Sequence, residues 1–223
     1  MKLKQFAVIG LGRFGSSVGA ELIQQGFEVM GIDKNEEVVD EMSDKLTHVV
    51  AADCTDEETL KALGIRNFDC VIVAIGDDIQ SSILTTILLK DLGVQTVVAK
   101  ALSDLHGKVL ERIGVDRVIF PEREMGIRVA HQLTSPNLLD YIELSKDYTI
   151  AELSVPKCLN GRSLKDLDPR ARHGCSVVAI NKKGGVIIAP NASDVLNEKD
   201  VMVIIGTNKQ IEQFENELET AKK

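Results

Sequence analysis

The chain predicts an α/β fold: a Rossmann-like doubly wound parallel sheet followed by a second, smaller α+β domain. Three observations carry that expectation. A strand-like run, Gln5-Phe6-Ala7-Val8-Ile9, leads directly into Gly10-Leu11-Gly12-Arg13-Phe14-Gly15. Strand-like and helical patterns then alternate up to about residue 134, and such alternation builds parallel sheets. After the polar cluster Thr134-Ser135-Pro136-Asn137 the alternation stops, and short strands punctuated by turns follow.

Taken in order, strands are expected at 5–10, 28–33, 47–51, 69–75, 95–99 and 115–120, and helices at 13–26, 35–45, 56–63, 78–92, 103–113 and 122–134. Val18, Leu22 and Ile23 make the first helix amphipathic. In the fourth, Ile79, Ile83, Leu84, Ile87 and Leu88 recur at helical spacing and are read as packing on the sheet, with Gly93 placed as a C′ glycine. An N-terminal domain over 1–134 is therefore expected, then a connecting arm over 135–147 whose segment 137–145 has an apolar face. A C-terminal domain over 148–223 follows, with strands at 149–155, 175–181, 185–189 and 200–206 and a tight turn at Lys183-Gly184-Gly185. It also carries a short helix at 163–168 and a charged helix at 208–220, with Ile211, Phe214 and Leu218 along one face. So small a module buries little core alone and is expected to pack on a second copy.

Composition narrows the class. The 223 residues are 44% apolar but only 4% aromatic, with no Trp, so the core comes from Val, Ile, Leu and Ala, as a buried parallel sheet requires. A net charge of −8, with no basic block beyond Lys222-Lys223, speaks against nucleic acid or anionic lipid as the main partner. No apolar run approaches the ~20 residues of a membrane-spanning helix. The start, Met1-Lys2-Leu3-Lys4, lacks a signal-peptide core, so a soluble, cytoplasmic protein is expected. Cys54, Cys70, Cys158 and Cys175 show no C-x-x-C pairing and no His at ligand spacing. They read as buried thiols in a reducing compartment, not a metal or disulfide framework.

The glycine loop has a physical logic. Gly10 permits a tight turn, Gly12 lets backbone N–H groups approach a phosphate, and Gly15 allows close helix–strand packing. A phosphate then rests on the positive end of the first helix. Val29-Met30-Gly31-Ile32-Asp33 reads as a second strand ending on a carboxylate, where a dinucleotide fold places its ribose acceptor. Asp33 disfavours a 2′-phosphate, which favours NAD(H), ATP or ADP over NADP; its competing role is a cap for the helix near Asn35. Asp53 closes the third strand at the adenine edge, or is simply a loop or N-cap carboxylate. Ala74-Ile75-Gly76-Asp77 ends the fourth strand at the same crevice, and Gly76 permits close backbone approach. Arg13 is either a solvated side chain or a forked donor to phosphate oxygens. His48, His106, His131 and His173 form no recognisable triad or metal pattern. Ligand sensing is the stronger expectation, and an NAD(H)-dependent oxidoreductase or NADH sensor is the alternative.

The glycine loop, Asp33, Asp53, Val73-Ala74-Ile75-Gly76-Asp77, and above all Arg112-Ile113-Gly114-Val115-Asp116-Arg117-Val118-Ile119-Phe120-Pro121-Glu122 together resemble the RCK/KTN domain. The C-terminal module resembles its RCK-C (TrkA-C) companion. Over essentially its whole length the chain is similar to the cytosolic KtrA/KtrC-type regulatory subunits of bacterial Ktr potassium-uptake channels. The resemblance implies a homo-octameric gating ring, a tetramer of dimers, peripheral on the inner face of the membrane. Its partner is a membrane-embedded K⁺ channel subunit of the KtrB/KtrD type, with no nucleic acid involved. ATP and ADP are implied ligands of the N-terminal lobe, ATP favouring the active state, and NAD(H) fits the same fold. By that correspondence Arg13 reaches the γ-phosphate of a nucleotide in the neighbouring subunit. Phe14, Asp33, Lys34, Asn35, Asp53, Cys54, Ile75, Gly76, Asp77, Lys100, Ala101, Leu102 and His106 line the cleft. Glu122 matches a position linked to an interface cation, divalent or Na⁺; alone it reads as helix-dipole compensation. The resemblance also implies cyclic di-AMP as an inhibitor between paired C-terminal modules, with Arg170 facing a phosphate, Leu164 and Val177 against the bases, and Asp168 beside them. Asp168-Pro169-Arg170-Ala171-Arg172 equally reads as a charged surface turn.

Overall fold

In the computed structural model, which describes residues 4–135 and 137–220, the chain divides into two compact units, 1–123 and 124–223. Pro136 of the boundary turn, the first three residues and the last three, Lys222-Lys223 among them, lie outside the described residues.

The alternation in the sequence becomes β1 (Gln5–Ile9), α1 (Arg13–Gln24), β2 (Glu28–Asp33), α2 (Glu36–Met42), β3 (His48–Ala51), α3 (Glu57–Ala62), β4 (Cys70–Val73), α4 (Ile79–Asp91), β5 (Val97–Lys100), α5 (Asp104–Ile113), β6 (Arg117–Ile119) and α6 (Pro121–Thr134). The strands pair in parallel in the order β3-β2-β1-β4-β5-β6. Both faces of this sheet are buried, and the period-2 geometry of a strand explains how. Ala7 and Ile9 join Ile32, Val71, Val73, Val97 and Ala99 in one core, with Leu60, Leu89 and Leu110 from the helices. Val8, between them in sequence, joins Val29, Ile72, Ala74, Met42 and Leu46 in the other. Asn35, Asp56, Asp78 and Ser103 each accept a first-turn backbone N–H and so start α2, α3, α4 and α5.

The buried face of α4 is not the one its apolar spacing predicts. Ser82, Thr85, Thr86 and Leu89 are buried, whereas Ile79, Leu84 and Ile87 are 42%, 41% and 37% exposed. The buried hydroxyls of Thr85 and Thr86 donate to the carbonyls of Cys54 (3.2 Å) and Ser82 (2.7 Å). A helix apolar on nearly every side has no period from which to read its inner face.

The division between the units falls within α6 and not at the turn that follows it. In the second unit β7 (Leu138–Glu143), β8 (Tyr148–Ser154), β9 (Ser176–Lys182), β10 (Gly185–Ile188) and β11 (Val201–Thr207) form an antiparallel sheet in the order β10-β9-β11-β8-β7. The expected connecting arm is therefore, over most of its patterned part, strand β7 paired along β8. A register shift between Leu138 and Asp140 breaks its period-2 alternation and disguises it as an irregular segment. The helix expected at 163–168 is two short ones, α7 (Leu164–Leu167) and α8 (Pro169–His173). They are split at Asp168, whose φ of +40° leaves the helical region just before a proline. Helix α9 (Asn208–Thr220) buries Ile211, Phe214 and Leu218 as its spacing predicts, against a core that includes Leu153, Ile180, Leu196 and Met202. Gly185, φ +136°, follows the Lys183-Gly184 corner between β9 and β10.

Candidate functional site

The strand order of the first unit reverses between β1 and β4, and doubly wound folds take ligands outside the carboxyl ends of the strands at such a point. A cavity of about 590 Å³ lies there. Gly10, Gly12, Arg13 and Phe14 line it from the loop after β1; Asp33, Lys34 and Asn35 from the end of β2; Asp53 and Cys54 from beyond β3. Ile75, Gly76 and Asp77 follow β4, Lys100 ends β5, and Glu122 opens α6.

The three loop glycines are held for different reasons. Gly10 has φ +91°, and a Cβ there would come within 3.0 Å of backbone atoms of Ala74 and Ile75. A Cβ on Gly15 would stand 1.9 Å from the Gly10 carbonyl oxygen, so Gly15 serves the packing and is absent from the cavity wall. Gly12 has φ −62°, and nothing lies within 4 Å of where its Cβ would be. It faces open space as the N-cap of α1, a helix with no side-chain cap and no acidic residue in its first turn. The unpaired N–H groups and positive dipole end of α1 therefore border the cavity.

Two carboxylates line the cavity from the ends of β2 and β3. Asp33 accepts from the backbone N–H of Leu11 (2.7 Å) through one oxygen and of Asn35 (3.0 Å) through the other. Asn35 itself caps α2, accepting from the Glu37 N–H (3.0 Å). Asp33 is thus a clasp between two loops and not the cap, and its oxygens each accept more than one bond. Asp53 accepts from the Thr55 backbone N–H (2.9 Å) and hydroxyl (2.7 Å), which hold its carboxyl below the usual carboxylate range. The cap of α3 is Asp56.

Arg13 is exposed at the rim. The Lys100 side chain is only 8% exposed, and its ammonium donates to Glu122 Oε1 at 2.5 Å. That bond holds the Glu122 carboxyl below its ordinary range, with Arg13 adding a weaker pull. Among the described residues no three His, Cys, Asp or Glu side chains gather as a metal donor set. With Glu122 committed to Lys100, one chain does not fit the cation that the resemblance implied.

Ala101, Leu102 and His106 do not line the cavity. Ala101 is buried at the sheet and Leu102 is exposed. His106 is buried on α5, its Nδ1 accepting from the Leu102 N–H (3.3 Å), and burial pushes its pKa down. The cavity also takes Thr55, Ser81 and Thr85, which sequence reasoning did not name. Ser81 and Thr85 are one turn apart on α4, and that hydroxyl pair in an apolar helix was the available signal. All four cysteines are free, and burial pushes the thiols of Cys54 and Cys70 up to about 12 and about 11, away from reactivity. In the second unit Leu164 is in the core, Val177 packs against it, and Asp168 and Arg170 are exposed. A cavity of about 470 Å³ there, lined by His131, Tyr141 and Glu212 among others, includes none of the four. No helix among the described residues is long and apolar enough to cross a membrane.

Comparison with known proteins gives this geometry its context. The model of the TrkA-N domain matches residues 6–121 and that of the TrkA-C domain residues 148–219. The Ktr system potassium uptake protein C of Bacillus subtilis is 49% identical over 95% of this chain and 96% of its own. Protein A of that system and organism is 48% identical over 97% of this chain and 98% of its own. Among solved structures, the GsuK RCK domain matches 97% of this chain with a TM-score of 0.55 and 24% identity, and this chain spans 47% of that one. GsuK bound to ADP matches 58% of this chain and 34% of its own, with a TM-score of 0.51 and 26% identity. The chain is thus a TrkA-N domain followed by a TrkA-C domain. The chain belongs to the family of the Ktr system potassium uptake proteins.

Proposed function

We propose that this chain is the nucleotide-sensing regulatory subunit of a Ktr potassium-uptake system, a binding protein and not an enzyme. ATP and ADP share the cleft of the first unit, ATP favouring the active state. Cyclic di-AMP binds paired second units as an inhibitor through Leu164, Asp168, Arg170 and Val177. The subunit works as a homo-octameric ring on the cytoplasmic face of the membrane, docked on a K⁺ channel subunit of the KtrB/KtrD type.

One observation carries the nucleotide reading: the open space before Gly12. The start of α1 and Lys100 supply positive charge for phosphates, and Asp33 and Asp53, from the ends of β2 and β3, supply acceptors for ribose hydroxyls. The ADP-bound GsuK structure, at 26% identity, supports an adenine nucleotide in such a cleft. The ring reading is supported by the exposed apolar side chains of Ile79, Leu84 and Ile87 on α4 and of Leu105 on α5. An interface cation at Glu122 would need donors from the nucleotide or a second copy.

A ligand shifts a two-state ring only by its differential affinity for the two shapes. Arg13, exposed on this chain, is assigned to the last phosphate of a nucleotide bound in the neighbouring subunit. Calorimetric titration of ATP, ADP and NADH into the protein and into Arg13→Ala tests this. Selective weakening of ATP in the variant is expected. Tight NADH binding that ignores Arg13 would replace this reading with an NADH sensor.

A further inference from the structure

A helix of five residues has no stability of its own, so the placement of α8 is set by what it touches. Pro169 is buried at its start, and the core residue Cys175 follows just after its end. The rest of the grip comes from α9. Glu217 Oε1 accepts from Arg172 Nη1 (2.7 Å) and Oε2 from His173 Nε2 (2.6 Å), so successive residues of α8 occupy both carboxylate oxygens. The His173 ring leans on Phe214 of α9, with centroids 5.4 Å apart. Gly174, φ +74°, leaves room for the Gln210 side chain of α9, with which a Cβ would collide. Arg170 is different: it is exposed, and its guanidinium makes no ion pair among the described residues. Two places apart on a helix, Arg170 and Arg172 project about 200° apart. The rotation of α8 therefore decides which guanidinium is offered to a ligand, and Glu217 fixes that rotation.

Resting on the cyclic di-AMP reading of the second unit, we propose that Glu217 is a positioning residue for that inhibitor. It holds the end of α8 on α9 and takes Arg172 out of play, leaving Arg170 as the guanidinium of α8 aimed at a phosphate. Glu217 itself touches no ligand. Two opposite signs separate this role from simple electrostatics. A carboxylate that acted only through space would repel a phosphate, so neutralising it would tighten the ligand. A carboxylate that aims Arg170 helps the ligand, so neutralising it weakens binding.

The test is a double-mutant cycle read by calorimetric titration of cyclic di-AMP into the full chain. The four proteins are wild type, Glu217→Gln, Arg170→Gln and the double variant. Glu217→Gln and Arg170→Gln are each expected to weaken cyclic di-AMP about tenfold, the scale of one charge-assisted hydrogen bond. In the Arg170→Gln background, Glu217→Gln is expected to change nothing, because the group it aims is gone. Unchanged or tighter binding in Glu217→Gln refutes the positioning role. An equal further loss in the Arg170→Gln background refutes it too, since Glu217 would then support the fold and not Arg170. ADP, which meets the first unit, is expected to bind all four proteins alike. Wild type that binds ADP but no cyclic di-AMP would defeat the cyclic di-AMP reading itself, and this inference with it. If Glu217→Gln melts below the assay temperature, Arg172→Gln, at a side chain that is 51% exposed, replaces it in the same cycle. Equal loss in both backgrounds again refutes the proposal.

Discussion

Alanine at Gly12 and at Gly15 should separate binding from folding within one loop. Gly12 lies at φ −62° and ψ −175°, a backbone conformation open to any residue, and its Cβ would meet no atom within 4 Å. Alanine there removes freedom from the unfolded chain, stabilising by roughly 0.4–1 kcal/mol. It is also a poorer N-cap than glycine, by an amount of order 0.5–1 kcal/mol. The two effects nearly cancel, and at about 2–4 °C per kcal/mol for a chain of this size the melting temperature should hold within a few degrees. Gly15 is different, because its Cβ would stand 1.9 Å from the Gly10 carbonyl oxygen. That atom belongs to a backbone pinned against Ala74 and Ile75, with no flexible end to give way. Overpacking of about 3 kcal/mol or more should lower the melting temperature by roughly 6–12 °C. Binding reverses the order: the Gly12→Ala methyl occupies the space a phosphate needs, and ADP affinity should fall at least about tenfold, near 1.4 kcal/mol. Thermal denaturation by circular dichroism and ADP calorimetry well below the transition measure both. A Gly12→Ala protein that melts with Gly15→Ala, or that keeps wild-type ADP affinity, refutes the reasoning.

Asp33→Asn loses one of the two carboxylate oxygens that accept from the backbone N–H groups of Leu11 and Asn35, and turns an amide N–H₂ toward one of those donors. Stability should fall by about 1–3 kcal/mol alongside nucleotide affinity, and a variant with wild-type melting and ADP binding would deny Asp33 both roles. Leu84→Asp with Ile87→Asp should dissociate the ring, seen as smaller mass by light scattering, while the protein still melts cooperatively because neither side chain is in the core; an intact oligomer would move the interface elsewhere. Burial lowers the folded-state pKa of His106, so the unfolded chain takes that proton first. Its contribution is complete above the unfolded pKa of about 6.5 and is lost as pH falls below it. Melting temperature should therefore drop between pH 7 and 5.5, with a shallower drop in His106→Phe; identical slopes would assign the effect to other groups.

Which parts of this structure are legible in the sequence follows from how local the determining physics is. The glycine loop and the alternating elements are written in adjacent residues, as are the caps at Asn35, Asp56, Asp78 and Ser103. The face of α9 is legible because Ile211, Phe214 and Leu218 stand out against a charged background. The same rule fails on α4, where apolar residues on several faces leave the choice to tertiary partners, and the sheet side is taken by Thr85 and Thr86. Strand β7 was hidden by its own bulge, since a register shift breaks the only pattern that marks a strand. His106 illustrates the limit at the site. A residue close in sequence to the cleft at Lys100 turns its ring back to the Leu102 N–H, a side-chain choice no spacing encodes. The Lys100–Glu122 pair joins the end of β5 to the start of α6 and required the fold to be seen.

Helix α4 joins the cleft to the exposed apolar face proposed as the ring interface. Ser81 and Thr85 stand on the cavity wall, while Leu84 and Ile87, on the same turns, are exposed. Asp78 fixes the start of the helix by accepting from the Ser81 N–H (3.0 Å) and hydroxyl (2.6 Å), immediately after the cavity residues Gly76 and Asp77. A helix is stiff enough to carry a displacement from one face to the other, but adjacency alone does not demonstrate coupling. Coupling requires that a ligand and the interface change each other's free energies, and that change is reciprocal. In the proposed reading Asp33 and Asp53 meet a ribose present in ATP and ADP alike, so they would set affinity without setting preference. Preference belongs to the phosphate end, where the proposed reader of the last phosphate is Arg13 of a neighbouring copy. The dissociated Leu84→Asp, Ile87→Asp protein should therefore bind ADP as wild type does and lose its preference for ATP. Retention of that preference in a protein shown to be dissociated would place the discrimination inside one chain and remove the neighbouring Arg13 from it.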